Sequence, residues 1–146
     1  MAVEIEYKYL VKNDNYKSMS TSQTHIIQGY LNREPERTVR VRVRDDRGYL
    51  TVKGKNSGAS RLEFEYEIPL SDASEMLSLC LPPILDKTRY IVPFAGKIWE
   101  VDEFHGHQKG LVTAEIELSD ISETFTLPDF IGENVTSDPK YFNSNL

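Results

Sequence analysis

The sequence predicts a mainly β (α+β) fold: an antiparallel sheet or barrel with helices packed outside it. Three observations carry that expectation. Apolar and charged residues alternate with period two in six separate stretches, the mark of a strand with one polar face. Helical periodicity is pronounced in only one place. Turn-forming residues punctuate the rest, and no repeat, linker or low-complexity tract divides the chain, so its 146 residues are expected to form one domain spanning 1–146.

Along the chain, the first alternating stretch is Val3-Glu4-Ile5-Glu6-Tyr7-Lys8-Tyr9-Leu10. A short helix is placed within 13–22, and 24–31 reads as a strand. Val39-Arg40-Val41-Arg42-Val43-Arg44 and Leu50-Thr51-Val52-Lys53 alternate again, with Asp45-Asp46-Arg47-Gly48 suited to closing a hairpin between them. Gly54 to Gly58 reads as a longer loop before Leu62-Glu63-Phe64-Glu65-Tyr66-Glu67-Ile68. After Pro69 the spacing predicts a helix over 71–81, with Asp72 and Glu75 at capping-box spacing and Ala73, Met76, Leu77 and Cys80 on one face. Pro82-Pro83 is expected to stop it. Residues 88–94 are a further strand, 93–96 a turn, and Trp99-Glu100-Val101-Asp102 and Val112 to Leu118 two more strands. A short helix is placed within 119–125. The total is about eight strands.

Composition narrows the function. Acidic residues outnumber basic ones, 23 to 17, for a net charge of −6, so a nucleic-acid partner is not expected. The lone Cys80 excludes an intramolecular disulfide and a zinc site of paired thiolates. No apolar run approaches a membrane span, and Glu4 charges the N-terminus, so neither membrane nor signal peptide is expected. The chain reads as a cytoplasmic protein.

The charges come in blocks. Residues two apart on a strand share a face at about 6.6 Å, so Arg40, Arg42 and Arg44 form a row of one sign and Glu63, Glu65 and Glu67 a row of the other. Such rows repel themselves unless something charged lies between them. In a closed barrel two assignments exist. Apolar faces inward give an ordinary core; charged faces inward give a tunnel, with the apolar faces covered by helices or by a partner subunit in a homodimer. Carboxylates without histidine or cysteine suit Mg²⁺ or Mn²⁺, and rows of arginine suit phosphate oxygens. Together they describe a polyphosphate site. No P-loop and no G-x-S-x-G elbow is present.

In order, Glu4-x-Glu6-x-Lys8, Gln28-Gly29-Tyr30-Leu31, Arg40-x-Arg42, Leu50-Thr51-Val52-Lys53-Gly54, Arg61-x-Glu63-x-Glu65, Lys87-Thr88-Arg89-Tyr90, Trp99-Glu100-Val101-Asp102, Ala114-Glu115-Ile116-Glu117-Leu118 and Val135-Thr136 with Tyr141-x-Asn143 resemble the CYTH superfamily, the triphosphate tunnel metalloenzymes. The resemblance implies an eight-stranded antiparallel β-barrel tunnel holding a divalent metal and a small anionic triphosphate. It favours the charged-inward assignment. The Gln-Gly-Tyr-Leu version looks like the bacterial inorganic triphosphatase branch, which cleaves tripolyphosphate. An adenylyl cyclase, an organic triphosphatase for thiamine or nucleoside triphosphates, and a non-catalytic polyphosphate-binding module are the alternatives.

On that resemblance Glu4, Glu6, Glu63, Glu65, Asp102, Glu115 and Glu117 are candidate metal ligands, each with a structural ion pair as its alternative. Lys8, Arg40, Arg42, Lys53, Lys87 and Arg89 are candidate phosphate clamps. Lys8, Tyr30 and Glu65 are candidate catalytic residues. Glu67 is read as outside the site and Arg44 as solvent-facing. His25, His105 and His107 are poor metal candidates, Cys80 and Trp99 packing residues. Whether the tail after Tyr141-x-Asn143 closes one end of the tunnel is left open.

Overall fold

The computed structural model describes residues 2–146. Its strands are β1 (Val3–Val11), β2 (Ser22–Asn32), β3 (Thr38–Arg44), β4 (Arg47–Lys53), β5 (Ser60–Ile68), β6 (Leu81–Phe94), β7 (Lys97–Phe104), β8 (Val112–Leu118) and β9 (Ile131–Asn134), with helices α1 (Tyr16–Met19) and α2 (Leu70–Leu77). Every pairing is antiparallel, and the order β5-β4-β3-β2-β6-β7-β8-β1 closes on itself through β1 and β5. Eight strands therefore form a closed barrel. The ninth, which the sequence did not suggest, shares an edge of β1. Residues Val3 to Ile5 of that edge pair with β5, and Tyr9 and Val11 pair with β9.

The anticipated hairpins form where the sequence places them. Arg44 faces Arg47 across an Asp45-Asp46 turn with Asp45 at φ 53°, and Phe94 faces Lys97 across Ala95 and Gly96, both at positive φ.

The helix expected over 71–81 is shorter. It starts at Leu70 on a Pro69 cap, with no capping side chain, and ends at Leu77, which leaves Cys80 half-buried beyond it. Pro82 and Pro83 do not follow a helix; they lie in β6. They fit because β2 shifts register between Gln28 and Tyr30 opposite them, and β7 pairs with β6 only from Lys87 onward. Proline is tolerated where a ladder bond is absent. No helix forms within 119–125. There the side chains of Asp120 and Glu123 take the backbone N–H groups of Ser122 (2.8 Å) and Ser119 (2.6 Å), which competes with helical bonding.

The hydrophobic core lies outside the barrel. Tyr9, Tyr90, Val92, Trp99, Val101, Ala114, Ile116 and Leu118 point outward from β1, β6, β7 and β8, and are covered by Tyr16 of α1 and by Phe125, Phe130 and Ile131 of the returning chain. The Trp99 ring meets Tyr9 at 5.7 Å and Phe125 at 5.8 Å, both edge-on. On the opposite side α2 lies so close to β4 that a Cβ at Gly48 would sit 2.5 Å from the Ala73 methyl. Only glycine fits there. Val3, Val52, Leu62, Phe64 and Tyr66, the outward face around β5, stay exposed.

Candidate active site

With apolar side chains turned out, the charged half of each alternation turns in. Glu4, Glu6, Lys8, Arg40, Arg42, Lys53, Glu63, Glu65, Arg89, Glu115 and Glu117 all line one cavity of about 220 Å³. Strand register explains their grouping. Going round the barrel, β7, β8, β1 and β5 carry the carboxylates, while β4, β3 and β6 carry the cations, with β2 among them. One ring runs from Tyr30 through Arg40 and Thr51 to Glu65. Another runs from Lys8 through Glu115 to Glu100. The cavity thus has an acidic wall and a basic wall.

Burial differs between the two signs. Five cations are buried, namely Lys8, Arg40, Arg42, Lys87 and Arg89, against the carboxylates Glu4, Glu115 and Asp102. Arg40 donates through Nη2 to Thr51 (3.2 Å) and Glu65 (3.1 Å), while its Nε is buried without an acceptor. Burial, then the charges of Arg40 and Arg89, push Arg42 down to about 9, still protonated at neutral pH. A buried donor without a partner and crowded guanidinium groups are both relieved by an anion.

The carboxylates are crowded in the opposite sense. Burial, then the neighbouring Glu115, hold Glu6 well above the usual range. Burial alone would raise Glu115 too, but Lys8, the hydrogen bond from Glu6 and Arg89 bring it well below. The two neighbouring carboxyl groups are therefore pulled in opposite directions, Glu6 up and Glu115 down. Glu117 is lifted to about 7 by burial and by Glu4, Glu63 and Glu100. A cation relieves such a cluster. The donors are carboxylate oxygens alone, which fits Mg²⁺ or Mn²⁺. In the conformation described, the carboxylates are held in ion pairs, Glu4 and Glu63 by Lys53 at 3.1 and 3.3 Å. Among the described residues no group of acids is gathered as a ready metal cage.

Two of the anticipated site residues do not reach the cavity. Lys87 and Asp102 are fully buried beneath it, 2.7 Å apart as an ion pair that is not a well-directed hydrogen bond. Asp102 also accepts Nε and Nη2 of Arg89 at 2.8 and 2.9 Å. Burial pushes Lys87 down to about 7 against the pull of Asp102. Burial would likewise lower Arg89, but Asp102 and then Glu100 and Glu115 raise it well above its ordinary value.

Arg44 is not merely solvent-facing: it lines the cavity and donates to the Tyr49 hydroxyl at 2.7 Å. Arg61 and Glu100, part of the quoted motifs but not singled out as site residues, are on the wall as well. Their inward position follows from the same alternation, Glu100 between buried Trp99 and Val101, and Arg61 two before Glu63. Thr136, Phe142, Asn143 and Ser144 were legible only as family motif or not at all, because the chain reaches the cavity there through irregular backbone. Lys8 Nζ donates to the Tyr141 carbonyl at 2.9 Å, tying the tail to the cavity wall. Glu67 pairs with Arg47 at the surface. Each histidine is engaged away from the cavity: His25 with Asp86, His105 with Thr88, and His107 with the Leu146 carbonyl.

Comparison with known proteins agrees with this geometry. The family model for the CYTH domain matches residues 2–143. An inorganic triphosphatase from Acetivibrio thermocellus is 52% identical over 147 residues, covering 100% of this chain and 94% of that one. An inorganic triphosphatase from Nitrosomonas europaea is 30% identical over 151 residues, covering 98% and 95%. The crystal structure of the inorganic triphosphatase NE1496 superposes with a TM-score of 0.69 at 27% identity, over 99% of this chain and 94% of that one.

Proposed function

The chain belongs to the CYTH domain family, and from that premise we propose that it is a divalent-metal-dependent triphosphatase, converting inorganic tripolyphosphate to pyrophosphate and phosphate. The observation that carries the proposal is the division of one cavity into a wall of crowded cations, one with an unpartnered buried N–H, and a wall of crowded carboxylates. A polyanion with a bound metal satisfies both at once. The inorganic substrate is favoured by size. About 220 Å³ is below the roughly 300–1,000 Å³ of pockets that take drug-sized organic molecules. Tyr30 and Phe142 are the aromatic side chains on its wall, too few to clasp a base.

Glu4, Glu6, Glu63, Glu65, Glu115 and Glu117 would hold the metal, directly or through water. When bound, Mg²⁺ or Mn²⁺ supplies charge neutralisation on phosphoryl oxygens and lowers the pKa of its water. Arg40, Arg42, Lys53 and Arg89 bind phosphoryl oxygens, giving up their present carboxylate pairing in part. Lys8 clamps or protonates the departing group. Glu65, at the more exposed end of the acidic wall, takes the proton of the attacking water. The new P–O bond forms to the terminal phosphorus in line with the bridging P–O bond that breaks, and the electron pair leaves on pyrophosphate. Lys87 and Asp102 act from below, by orienting Arg89. No helix is long and apolar enough to cross a membrane, and we read the cytoplasm as the site of action.

The test is phosphate release from tripolyphosphate, ATP and thiamine triphosphate with Mg²⁺, Mn²⁺ or EDTA. The expected result is metal-dependent release fastest from tripolyphosphate. Conversion of ATP to cyclic AMP would establish the cyclase alternative instead, and tight tripolyphosphate binding without turnover in either metal would sink the hydrolase reading.

A further inference from the structure

We infer that Gln28 is a positioning residue of this cavity, one that brackets Arg42 without neutralising it and commits the Tyr30 hydroxyl to donate toward an oxyanion. The inference rests on the polyphosphate reading of the site. Gln28 is on β2, fully buried, with Arg42 as its register partner on β3 and Tyr30 two residues along the same face. Its Oε1 accepts from both Nε (2.9 Å) and Nη2 (2.7 Å) of Arg42. That fixes which way the amide points, because the reverse orientation would set its NH₂ against guanidinium donors. The Nε2 end is then 3.2 Å from the Tyr30 oxygen and donates to it.

Two consequences follow from the donor inventory. A phenol has one proton, and an oxygen that accepts from Gln28 is free to send that proton elsewhere. Among the described residues no acceptor takes it, and Tyr30 lines the cavity, so the donor is available to whatever anion enters. Arg42, for its part, uses two of its five N–H groups on Gln28 and keeps three. A glutamate in the same place would do the opposite on both counts. It would form a full salt bridge with Arg42, cancelling the charge the anion needs, and its acceptor-only oxygens would draw the Tyr30 proton away from the cavity. Arg40 has the contrasting arrangement, with a carboxylate, Glu65, already on its guanidinium. Whereas carboxylates hold Arg40 and Arg89, the neutral amide at 28 orients Arg42 and Tyr30 before any ligand arrives without setting a negative charge on them.

The test is calorimetric binding of tripolyphosphate in EDTA to the wild type, Gln28→Glu, Tyr30→Phe and the double variant, after thermal melts establish that each folds. Losing charge-assisted hydrogen bonds on this scale is expected to weaken binding by Gln28→Glu roughly ten- to hundredfold. Tyr30→Phe is expected to lose less, and the double variant to bind no worse than Gln28→Glu alone, since Tyr30 has no role left once its proton is diverted. Should Gln28→Glu not fold, Gln28→Met, close in volume, serves in its place and is expected to lose at least about threefold. Binding within about twofold of wild type by Gln28→Glu or Gln28→Met, or losses that simply multiply in the double variant, would overturn the inference. So would a wild type that does not bind the anion in EDTA. Phosphate release with Mg²⁺ is read separately: its absence in a wild type that binds tripolyphosphate refutes the hydrolase reading and leaves the Gln28 result standing.

Discussion

Replacing Asp102 by asparagine separates a carboxylate that holds cations in place from one that holds a metal. The amide matches the carboxylate in volume, so one negative charge is removed from a site fully out of solvent without opening a cavity. Two cations depend on it: Lys87 at 2.7 Å, and Arg89 through paired bonds at 2.8 and 2.9 Å. They respond differently. Lys87 is already pushed down to about 7, so near neutral pH it sheds its proton at little further expense once the carboxylate is gone. Arginine has no such exit, and Arg89 stays charged beside nothing but the more distant Glu100 (3.3 Å) and Glu115 (3.4 Å). Breaking a buried ion pair from one side costs about 3–5 kcal/mol. At roughly 3 °C per kcal/mol for a chain of this length, the midpoint should fall by roughly 9–15 °C in a thermal melt. The metal concentration needed for half-maximal phosphate release should stay unchanged, because Asp102 does not reach the cavity. A melting temperature within about 2 °C of wild type would refute the energetic argument. An unchanged melt with a shifted metal requirement would return Asp102 to the ligand set.

Arg42→Ala and Glu65→Gln should each fold and lose activity by about 10²–10³-fold in kcat/KM, the scale for removing one group that stabilises a transition state; full activity in either would count against the assigned roles. Without metal, the carboxyl groups held above their ordinary 4.5, Glu6 by burial and Glu115, Glu63 by burial and, discounted because it is partly exposed, Glu117 near about 7, keep protons in the folded state that the unfolded chain releases. Stability in EDTA should therefore fall as pH rises from 4.5 to about 7. Glu115 and Asp102, held low, act in the other direction and lose their contribution only below that window. Melts across that range check this, and a midpoint rising steadily to neutrality would contradict it. Mg²⁺ competes with protons for the carboxyl groups held above their ordinary range, so its affinity, followed by titration, should strengthen with pH; a pH-independent affinity would argue against the acidic wall as the metal site. Gly48→Ala drives a methyl to 2.5 Å from Ala73 and should destabilise the protein to urea by about 1–3 kcal/mol, whereas an unchanged urea midpoint would mean that α2 shifts freely.

Much of the fold was legible because period two is plain in six of the eight barrel strands: all eight expected strands form, seven of them within a few residues of the expected limits, while β6 starts at Leu81 rather than at 88. Which face turned inward was not legible from periodicity, since Glu4-Ile5-Glu6 reads alike either way; the family motifs resolved it. The misreadings have local causes. Pro82 and Pro83 look like a helix stop, but a register shift in the neighbouring strand makes room for them. Residues 119–125 carry helix-compatible letters, yet Asp120 and Glu123 hold the backbone in turns. β9 is four residues long and exists only because β5 leaves part of an edge of β1 unpaired. In the site, the rows of like charge announced the walls, and alternation would have found Glu100 and Arg61 had it been applied evenly. Depth was invisible: nothing in the letters places Asp102 below the cavity and Glu65 at its more open end. The tail residues Phe142 to Ser144 carry no periodic signal at all.

Because the hydrophobic core wraps the barrel from outside, the two alternating registers of each strand carry separate messages, one read by the packing shell and one by the ligand. Neighbouring residues such as Trp99 and Glu100, or Val41 and Arg42, are bonded to each other and yet face different surroundings, one buried among apolar side chains and one on the cavity wall. Apart from inner residues that themselves hold the fold, as Lys87 and Asp102 do, the groups facing the ligand can be exchanged without eroding the packing shell, and the shell rebuilt for heat or cold without replacing those groups. An engineer has the same freedom: recombining the inner register of one relative with the outer register of another is a crossover at every second residue rather than at a domain boundary.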